Sequence, residues 1–319
     1  MTPHDLTHIG IHVFERGWLS SNNILCIGAN NASIVDTGYV DHAEQTMALV
    51  QHALRERALD HIVNTHLHSD HCGGNARLQE AHPNVHTRVP APSLTAVRHW
   101  DTARLTFERT GQECPRFAAN ASYGSGDTLW LGDRQWEVHA APGHDPEAML
   151  IFEPQSRTLL SADALWENGL GVIFPELDGE PSFEAAEATI DLIASLNPAV
   201  VIPGHGALFS DVAAAIARAR RRIDSWAHAP DAHYAYGLKV LVKYKLLSAQ
   251  RITVAALSEW ANQTAYLTAL APTARRIFGL ENVPTGSPAD ISDTMAAITA
   301  ALVRSGAART EGDWVINVS

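Results

Sequence analysis

The 319-residue sequence lacks the features of several protein classes. No apolar run approaches the ~20 residues that span a bilayer, and residues 1–5 lack the basic-then-apolar layout of a signal peptide. Its three cysteines (Cys26, Cys72 and Cys114) are too few for a disulfide framework and suit a reducing compartment. A net charge of −12 argues against broad binding to nucleic acid or anionic membranes. We therefore expect a cytoplasmic protein with a small-molecule substrate and no membrane or nucleic-acid partner.

Three imidazoles and one carboxylate fall within six residues, in the order His66-x-His68-x-Asp70-His71. The apolar run just before them predicts a short strand over 61–64 that leads into a loop. Side chains two residues apart on an extended segment point the same way, so His66 and His68 can bind one cation together. Asp70 and His71 then lie on the turn into the next helix. This spacing indicates a metal site.

Periodicity predicts alternating strands and helices on both sides of this cluster. The predicted strands are 7–14, 23–28, 32–36, 61–64, 85–89, 128–131, 135–140, 148–153, 158–161 and 199–202. The predicted helices are 41–57, with Asp41 as N-cap, 72–81, 183–195, with Ser182 as N-cap, and 209–228. Residues 91–126 have weak periodicity, which is typical of a lid or binding loop.

Four predicted strand ends carry a potential metal ligand: the 66–71 cluster, His144, Asp163 and His205. Taken singly, a Gly-His pair is more often a turn than a ligand. Four such residues, all at strand ends, predict one shared site, because a sheet scaffold positions the loops at its edge.

These motifs resemble those of the metallo-β-lactamase superfamily over residues 7–228. Asp36-Thr37-Gly38 matches the first motif, whose acid is structural, and the four ligand-bearing segments match the other four. The resemblance implies an α+β fold, a four-layer αββα sandwich in which two sheets face each other with helices outside. It also implies two adjacent metal sites with one bridging carboxylate. The implied ligands are His66, His68 and His144 for one site and Asp70, His71 and His205 for the other, with Asp163 bridging.

The chemistry of these residues agrees with two divalent cations, zinc first and iron or manganese as alternatives. Two cations ~3.5–4 Å apart can share a hydroxide and clamp an attacked oxygen. Asp70 and Asp163 are the candidate catalytic carboxylates. We expect a hydrolase that uses the shared hydroxide to cleave a small ester, thioester or lactone. The ligand set leaves open a phosphodiesterase or endoribonuclease, to which the basic run 218–222 could contribute, and a mono-iron persulfide dioxygenase.

Two further features bear on the substrate. Many thioesterases and lactonases of this superfamily follow the third-motif histidine with Thr-x-Gly or Ser-x-Gly, whereas this chain has Asp145-Pro146-Glu147, which should repel anionic substrates unless an arginine offsets it. Trp18, Trp166 and Phe174 flank the ligand loops and either line an apolar pocket or fill the core.

The sequence predicts a catalytic domain over 1–228 and a smaller second domain over 229–319. Helical spacing recurs through 238–246, 254–260 and 294–304, and a short strand follows over 314–318. Helices followed by a small strand resemble the winged-helix-like tail of some β-lactamase-like hydrolases. At this net charge we expect the tail to act as a lid or a homodimer surface rather than to bind nucleic acid.

Overall fold

The computed structural model describes residues 5–283 and 291–318. Residues 1–4, on which the expectation of no signal peptide partly rests, lie outside this range. The described chain divides into two compact units. The first contains the described residues up to Leu105 together with Glu113–Ser225, and the second contains Thr106–Gln112 together with the described residues from Trp226 onward. The predicted domain division after residue 228 stays a prediction.

A six-stranded sheet forms one half of the first unit, with its strands in chain order. The first three strands form an antiparallel meander, and the next three are added in parallel. These strands are β1 (Ile11–Phe14), β2 (Asn23–Ile27), β3 (Ala32–Val35), β4 (His61–Val63), β5 (His86–Pro90) and β6 (Ala121–Tyr123).

A five-stranded sheet, in the order β11-β10-β9-β8-β7, forms the other half. Its neighbouring strands are antiparallel except for β10 and β11, which run in parallel. These strands are β7 (Thr128–Leu131), β8 (Arg134–Ala140), β9 (Met149–Glu153), β10 (Thr158–Ala162) and β11 (Val200–Pro203).

The main core lies between the two sheets, as the alternating apolar strands require. Ile24 and Val35 from the first sheet pack in one buried cluster with Trp136 and Ile151 from the second. The outer face of the first sheet packs against helices in a second cluster that includes Ile34. The helices of this unit are α1 (Ala43–Leu54), α2 (Ser69–Cys72), α3 (Asn75–Ala81), α4 (Leu94–His99), α5 (Thr102–Leu105), α6 (Phe174–Leu177), α7 (Phe183–Leu196) and α8 (Val212–His228), which continues past its edge. The predicted αββα fold is confirmed.

Three details of the predicted helices are wrong. Asp41 lies in a 3-10 turn, and α1 begins two residues later with His42 at the N-cap position. The single helix expected over 72–81 is two short helices, α2 and α3. Ser182 lies at the N-cap position of α7 but does not cap the helix with its side chain, and the Glu176 carboxylate accepts the backbone N–H groups of Ser182 and Phe183.

The second unit is mainly helical, as predicted, and ends in a small antiparallel sheet with the order β12-β14-β13. Leu238, Leu257 and Ile298 are fully buried and hold its helices together. The predicted strand over 314–318 is present, but its two partner strands were not predicted. The elements are α9 (Pro230–Ala249), β12 (Arg251–Thr253), α10 (Val254–Gln263), α11 (Ala265–Ile277), α12 (Ser292–Arg304), β13 (Ala308–Glu311) and β14 (Trp314–Asn317).

Candidate metal centre

The strand ends singled out in the sequence meet at one edge of the sandwich. The His-x-His segment follows β4, Asp163 follows β10 directly, and His205 lies two residues after β11. His144 lies in the loop between β8 and β9. Seven candidate ligands form two groups, each with one ligand atom per residue and all atoms of a group within 4.8 Å of one another. The groups are His66, His68 and His144, and Asp70, His71, Asp163 and His205.

The first group is three imidazoles whose lone pairs face one point. His68 Nδ1 lies 3.1 Å from His66 Nε2 and 2.9 Å from His144 Nε2. The outer nitrogen of His144, Nδ1, can only donate to the Val172 carbonyl at 2.6 Å, so its Nε2 carries a lone pair. Burial lowers the pKa of all three histidines, that of His144 to about 4. They are therefore neutral at pH 7, as metal ligation requires.

The second group combines two carboxylates with two imidazoles. Asp70 Oδ2 lies 3.0 Å from His205 Nε2, and Asp163 Oδ1 lies 3.6 Å from His71 Nε2. The other oxygen of Asp163, Oδ2, lies 3.3 Å from His144 Nε2 in the first group. One carboxylate therefore faces both groups.

Asp36 fixes the orientation of His71 from behind the site. Its Oδ2 accepts hydrogen bonds from His71 Nδ1 at 2.7 Å and from the Thr65 hydroxyl at 2.7 Å, while Oδ1 accepts the Thr65 backbone N–H. When the imidazole is neutral, the inner nitrogen of His71 presents a lone pair. His71 is fully buried, and no polar atom among the described residues hydrogen-bonds to its Nε2. A buried imidazole nitrogen in this position fits a missing cation.

The carboxylates of the second group balance its histidines. Burial alone would lower the pKa of His71, but Asp36, Asp163 and Asp70 outweigh it and raise that pKa well above 6.5. Burial would raise the pKa of Asp163, yet His205 and His71 outweigh it and hold that pKa well below 3.8. A proton therefore occupies this group when no cation does, and a cation would displace it.

The sequence model of the metallo-beta-lactamase superfamily matches residues 16–205, which is more than half of the chain. The chain belongs to this superfamily. It is 29% identical over 177 residues to a hydroxyacylglutathione hydrolase of a Nostoc species, covering 54% of this chain and 60% of that protein. It is 24% identical over 159 residues to an acyl-coenzyme A thioesterase of Gallus gallus, covering 46% of this chain and 56% of that protein. The chain thus spans less than two thirds of these relatives' length.

The fold comparison agrees with the sequence comparison. The crystal structure of TTHA1623 in a di-iron-bound form matches with a TM-score of 0.52 and 23% identity. The match covers 64% of this chain and 95% of that chain. At this identity the likeness shows the shared metallo-β-lactamase fold.

Two residues that support the metallo-β-lactamase site were missed from the sequence. The Asn22 side-chain amide donates to the carbonyls of Pro203 at 3.0 Å and Gly206 at 2.7 Å, on either side of His205. Gly204 leaves room for the Asp163 carboxylate, since a Cβ there would overlap Asp163 Oδ1. Nothing in the sequence around Asn22 indicates a partner 181 positions away.

Aromatic rings flank both groups and are partly open to solvent. The Trp18 ring is 54% exposed and stacks on His205 with centroids 5.4 Å apart. Trp166 lies 5.2 Å from Trp18 and 5.6 Å from His205. Phe174 lies 5.5 Å from His68 on the other flank. Rings that remain exposed beside a site favour the pocket-lining alternative over core filling.

The two unusual acids after the third-motif histidine lie beside the first group. Asp145 Oδ2 lies 3.5 Å from His68 Nε2, and burial raises the pKa of this carboxyl. Glu147 accepts hydrogen bonds from the Ser93 hydroxyl and, at 2.8 Å, from the Arg104 guanidinium. Arg104 thus offsets Glu147, whereas Asp145 lies beside His68.

The basic run of α8 is engaged within its own unit. Arg218 donates to the Glu167 carbonyl at 2.7 Å, and Arg220 pairs with Asp191 at 2.5 Å. These contacts engage Arg218 and Arg220 within the protein and do not favour phosphate binding by these two arginines. Among the described residues there is also no helix that is both long and apolar enough to cross a membrane.

Proposed function

We propose that the protein is a metal-dependent hydrolase that cleaves a small thioester, or a related ester or lactone. The observation that carries this proposal is that seven imidazole and carboxylate side chains from four strand ends lie together. One of these side chains, His71, is buried, and its Nε2 has no hydrogen-bond partner among the described residues. Two curated relatives are a hydroxyacylglutathione hydrolase and an acyl-coenzyme A thioesterase, both of which act on thioesters by their names. These relatives favour a thioester over a phosphodiester substrate.

The proposed ligands divide as the two groups do. The three imidazoles of the first group would hold one cation, and Asp70, His71 and His205 the other, with Asp163 shared. Neutral imidazoles and hard carboxylates together suit zinc, and they also suit iron or manganese. A related fold is known in a di-iron form, so iron is a serious alternative to zinc.

When bound, the two cations would polarise an acyl oxygen and lower the pKa of water in the cleft. The chain itself supplies fixed acceptors around that position. Asp163 offers an oxygen toward each group, and Asp70, whose side chain is partly open to the cleft, has Oδ2 held by His205. We assign Asp70 and Asp163 to orienting the attacking water and accepting its proton. His71 keeps its orientation through Asp36 while this happens.

The acyl group would lie against the aromatic rings. Trp18 and Trp166 beside His205, and Phe174 beside His68, present apolar faces on opposite flanks of the site. Burying an acyl chain or aryl ring there removes apolar area from water at ~25 cal/mol per Å². Asp145 lies on the Phe174 side, so an anionic leaving group would be better accommodated at the flank of the two tryptophans.

The other expectations from the sequence remain predictions. Arg218 and Arg220 of the basic run bind the Glu167 carbonyl and the Asp191 carboxylate. These two contacts give no support to the phosphodiesterase alternative. Metal analysis separates the hydrolase from a mono-iron dioxygenase. A cytoplasmic location and a homodimer likewise stay predictions.

The test is thiol release from a panel of acetyl, long-chain acyl and aryl thioesters, with lactones alongside, by metal-loaded protein. Asp163→Asn should lower kcat more than ~100-fold and reduce metal content. The matched control is His86→Ala, an exposed histidine on β5, which should retain both. No turnover across the panel by the loaded wild type would refute the activity, and equal rates in the two variants would refute the site.

A further inference from the structure

Two of the three cysteines meet beside the metal centre. The sulfur of Cys72 lies 3.8 Å from that of Cys114, although 42 positions separate them in the chain. Cys72 is fully buried and Cys114 is partly exposed. Cys26 belongs instead to the apolar cluster between the two sheets. The pair therefore joins a fully buried cysteine to a partly exposed one.

We propose that Cys72 and Cys114 form an oxidation site, in which a hydroperoxide converts the two thiols to a disulfide. The sulfur of Cys114 attacks one oxygen of hydrogen peroxide; an S–O bond forms, the O–O bond breaks, and the leaving hydroxide departs with the Cys114 proton as water, so that Cys114 becomes a sulfenic acid. The sulfur of Cys72 then attacks that of Cys114; an S–S bond forms, the S–O bond breaks, and water leaves with the Cys72 proton. Two thiols are oxidised and one hydrogen peroxide is reduced to two waters.

The surroundings of the pair allow this step. A disulfide needs sulfurs ~2.0 Å apart, so the two sulfurs must approach by about 1.8 Å. Cys114 lies in the irregular segment 112–120, and its neighbour Glu113 is held by a backbone hydrogen bond to the Tyr39 hydroxyl. The Cys72 thiol donates to the His68 carbonyl at 3.3 Å. Most of the movement must therefore come from the partly exposed Cys114, and the hydrogen bond from the Cys72 thiol to the His68 carbonyl must break.

The consequence for the metal centre rests on the proposed function, whereas disulfide formation does not. Cys72 is the last residue of α2, a four-residue helix that also carries Asp70 and His71. A disulfide would remove the Cys72 hydrogen bond to the His68 carbonyl and draw the helix end toward Cys114. Displacing ligand supports typically costs ten- to a hundredfold in metal affinity or activity. Oxidation should therefore weaken metal binding and lower activity.

Peptide mapping of the full-length, metal-loaded protein tests the disulfide directly. After treatment with a few equivalents of hydrogen peroxide and alkylation, trypsin should yield peptide 58–77 linked to peptide 110–116. Cys26 should be recovered alkylated in peptide 17–55. The intact mass should fall by two hydrogen atoms, and a non-thiol reductant should restore it. Cys114→Ser should give no linked peptide.

Metal content and hydrolysis measured on the same samples test the consequence. Oxidised wild type should lose activity and metal by about tenfold or more, reversibly, while peroxide-treated Cys114→Ser should keep both. Absence of the linked peptide at doses that oxidise methionine, or oxygen addition to Cys114 in its place, would overturn the proposal. A linked pair with unchanged metal content would overturn the coupling to the centre. Lack of hydrolysis before oxidation would refute the proposed function alone.

Discussion

Replacing Asp36 by asparagine should switch the proton of His71 to the wrong nitrogen. Asp36 has a backbone φ of +56°, which asparagine tolerates better than most residues. Its Oδ1 accepts the Thr65 backbone N–H at 2.9 Å, and its Oδ2 accepts His71 Nδ1. An asparagine that keeps its oxygen on Thr65 turns its NH₂ group toward His71. The imidazole must then accept at Nδ1 and carry its proton on Nε2, the nitrogen that faces the second group.

The size of the effect follows from what the hydrogen bond does. Loss of the hydrogen-bond acceptor at the ring nitrogen that does not bind the metal typically lowers the metal affinity of a histidine site 10- to 100-fold, or by about 1.4–2.7 kcal/mol. The second group should be affected most, because His71 bonds Asp36 directly, whereas His66 is linked to Asp36 only through the Thr65 hydroxyl and His144 Nδ1 donates to the Val172 carbonyl. We therefore expect Asp36→Asn to weaken binding of the cation at the second group more than binding at the first.

Competition with a chromogenic chelator measures both affinities on metal-free protein. Asp60→Asn is the matched control: Asp60 Oδ2 accepts the Ala32 N–H at 2.8 Å, and an amide oxygen can do the same. Thermal unfolding of the metal-free variants checks that the fold persists. Two unchanged affinities in a folded Asp36→Asn protein would refute the assigned role of His71.

Three further predictions test other parts of the molecule. Gly204→Ala should reduce bound metal at least ~10-fold, because its Cβ would overlap the Asp163 carboxylate, whereas Gly124→Ala, with no atom within 4 Å, should not; equal metal content would contradict this. Trp18→Ala should raise KM for aryl thioesters several-fold and leave acetyl thioesters little changed, and a uniform effect on both would argue against the aromatic wall. Burial lowers the pKa of His233 from 6.5 to about 4. As the pH falls, the unfolded chain therefore binds a proton at His233 before the folded chain does, and up to about 3 kcal/mol of folding stability should be lost between pH 6.5 and pH 4. Urea unfolding of His233→Phe should lack this part of the pH dependence. A pH profile identical to that of the wild type would contradict the prediction.

The sequence was most informative where the chemistry is local. His66, His68 and His71 lie within one strand end and a turn, so their spacing alone indicated shared ligation. His144 and His205 were weak candidates individually and became strong only as members of a set of strand ends. Their convergence depends on strand order in two sheets, which the family motifs supply and periodicity does not.

The errors arose where a partner distant in the chain competes with a local one. Ser182 does lie at the N-cap position of α7 but makes no side-chain cap, and Glu176 from the preceding turn accepts the N–H groups of Ser182 and Phe183. Strand β13 was missed because three of its four residues are exposed, which leaves no alternating apolar pattern. Asn22 was missed because its partners are the backbone carbonyls of another strand end.

The loop between β1 and β2 joins two properties of the site that are usually treated separately. Asn22 holds the backbone on both sides of His205, while Trp18, four residues earlier, stacks on the His205 ring and faces solvent. The same loop therefore positions the proposed ligand His205 through its backbone and borders the proposed substrate through Trp18. Changes in this loop that alter substrate preference should often alter metal affinity as well, because His205 lies between the two side chains. Phe174, which lies against His68 on the other flank, does not belong to this loop. Substitutions at Phe174 should therefore change substrate preference with less effect on the support of His205.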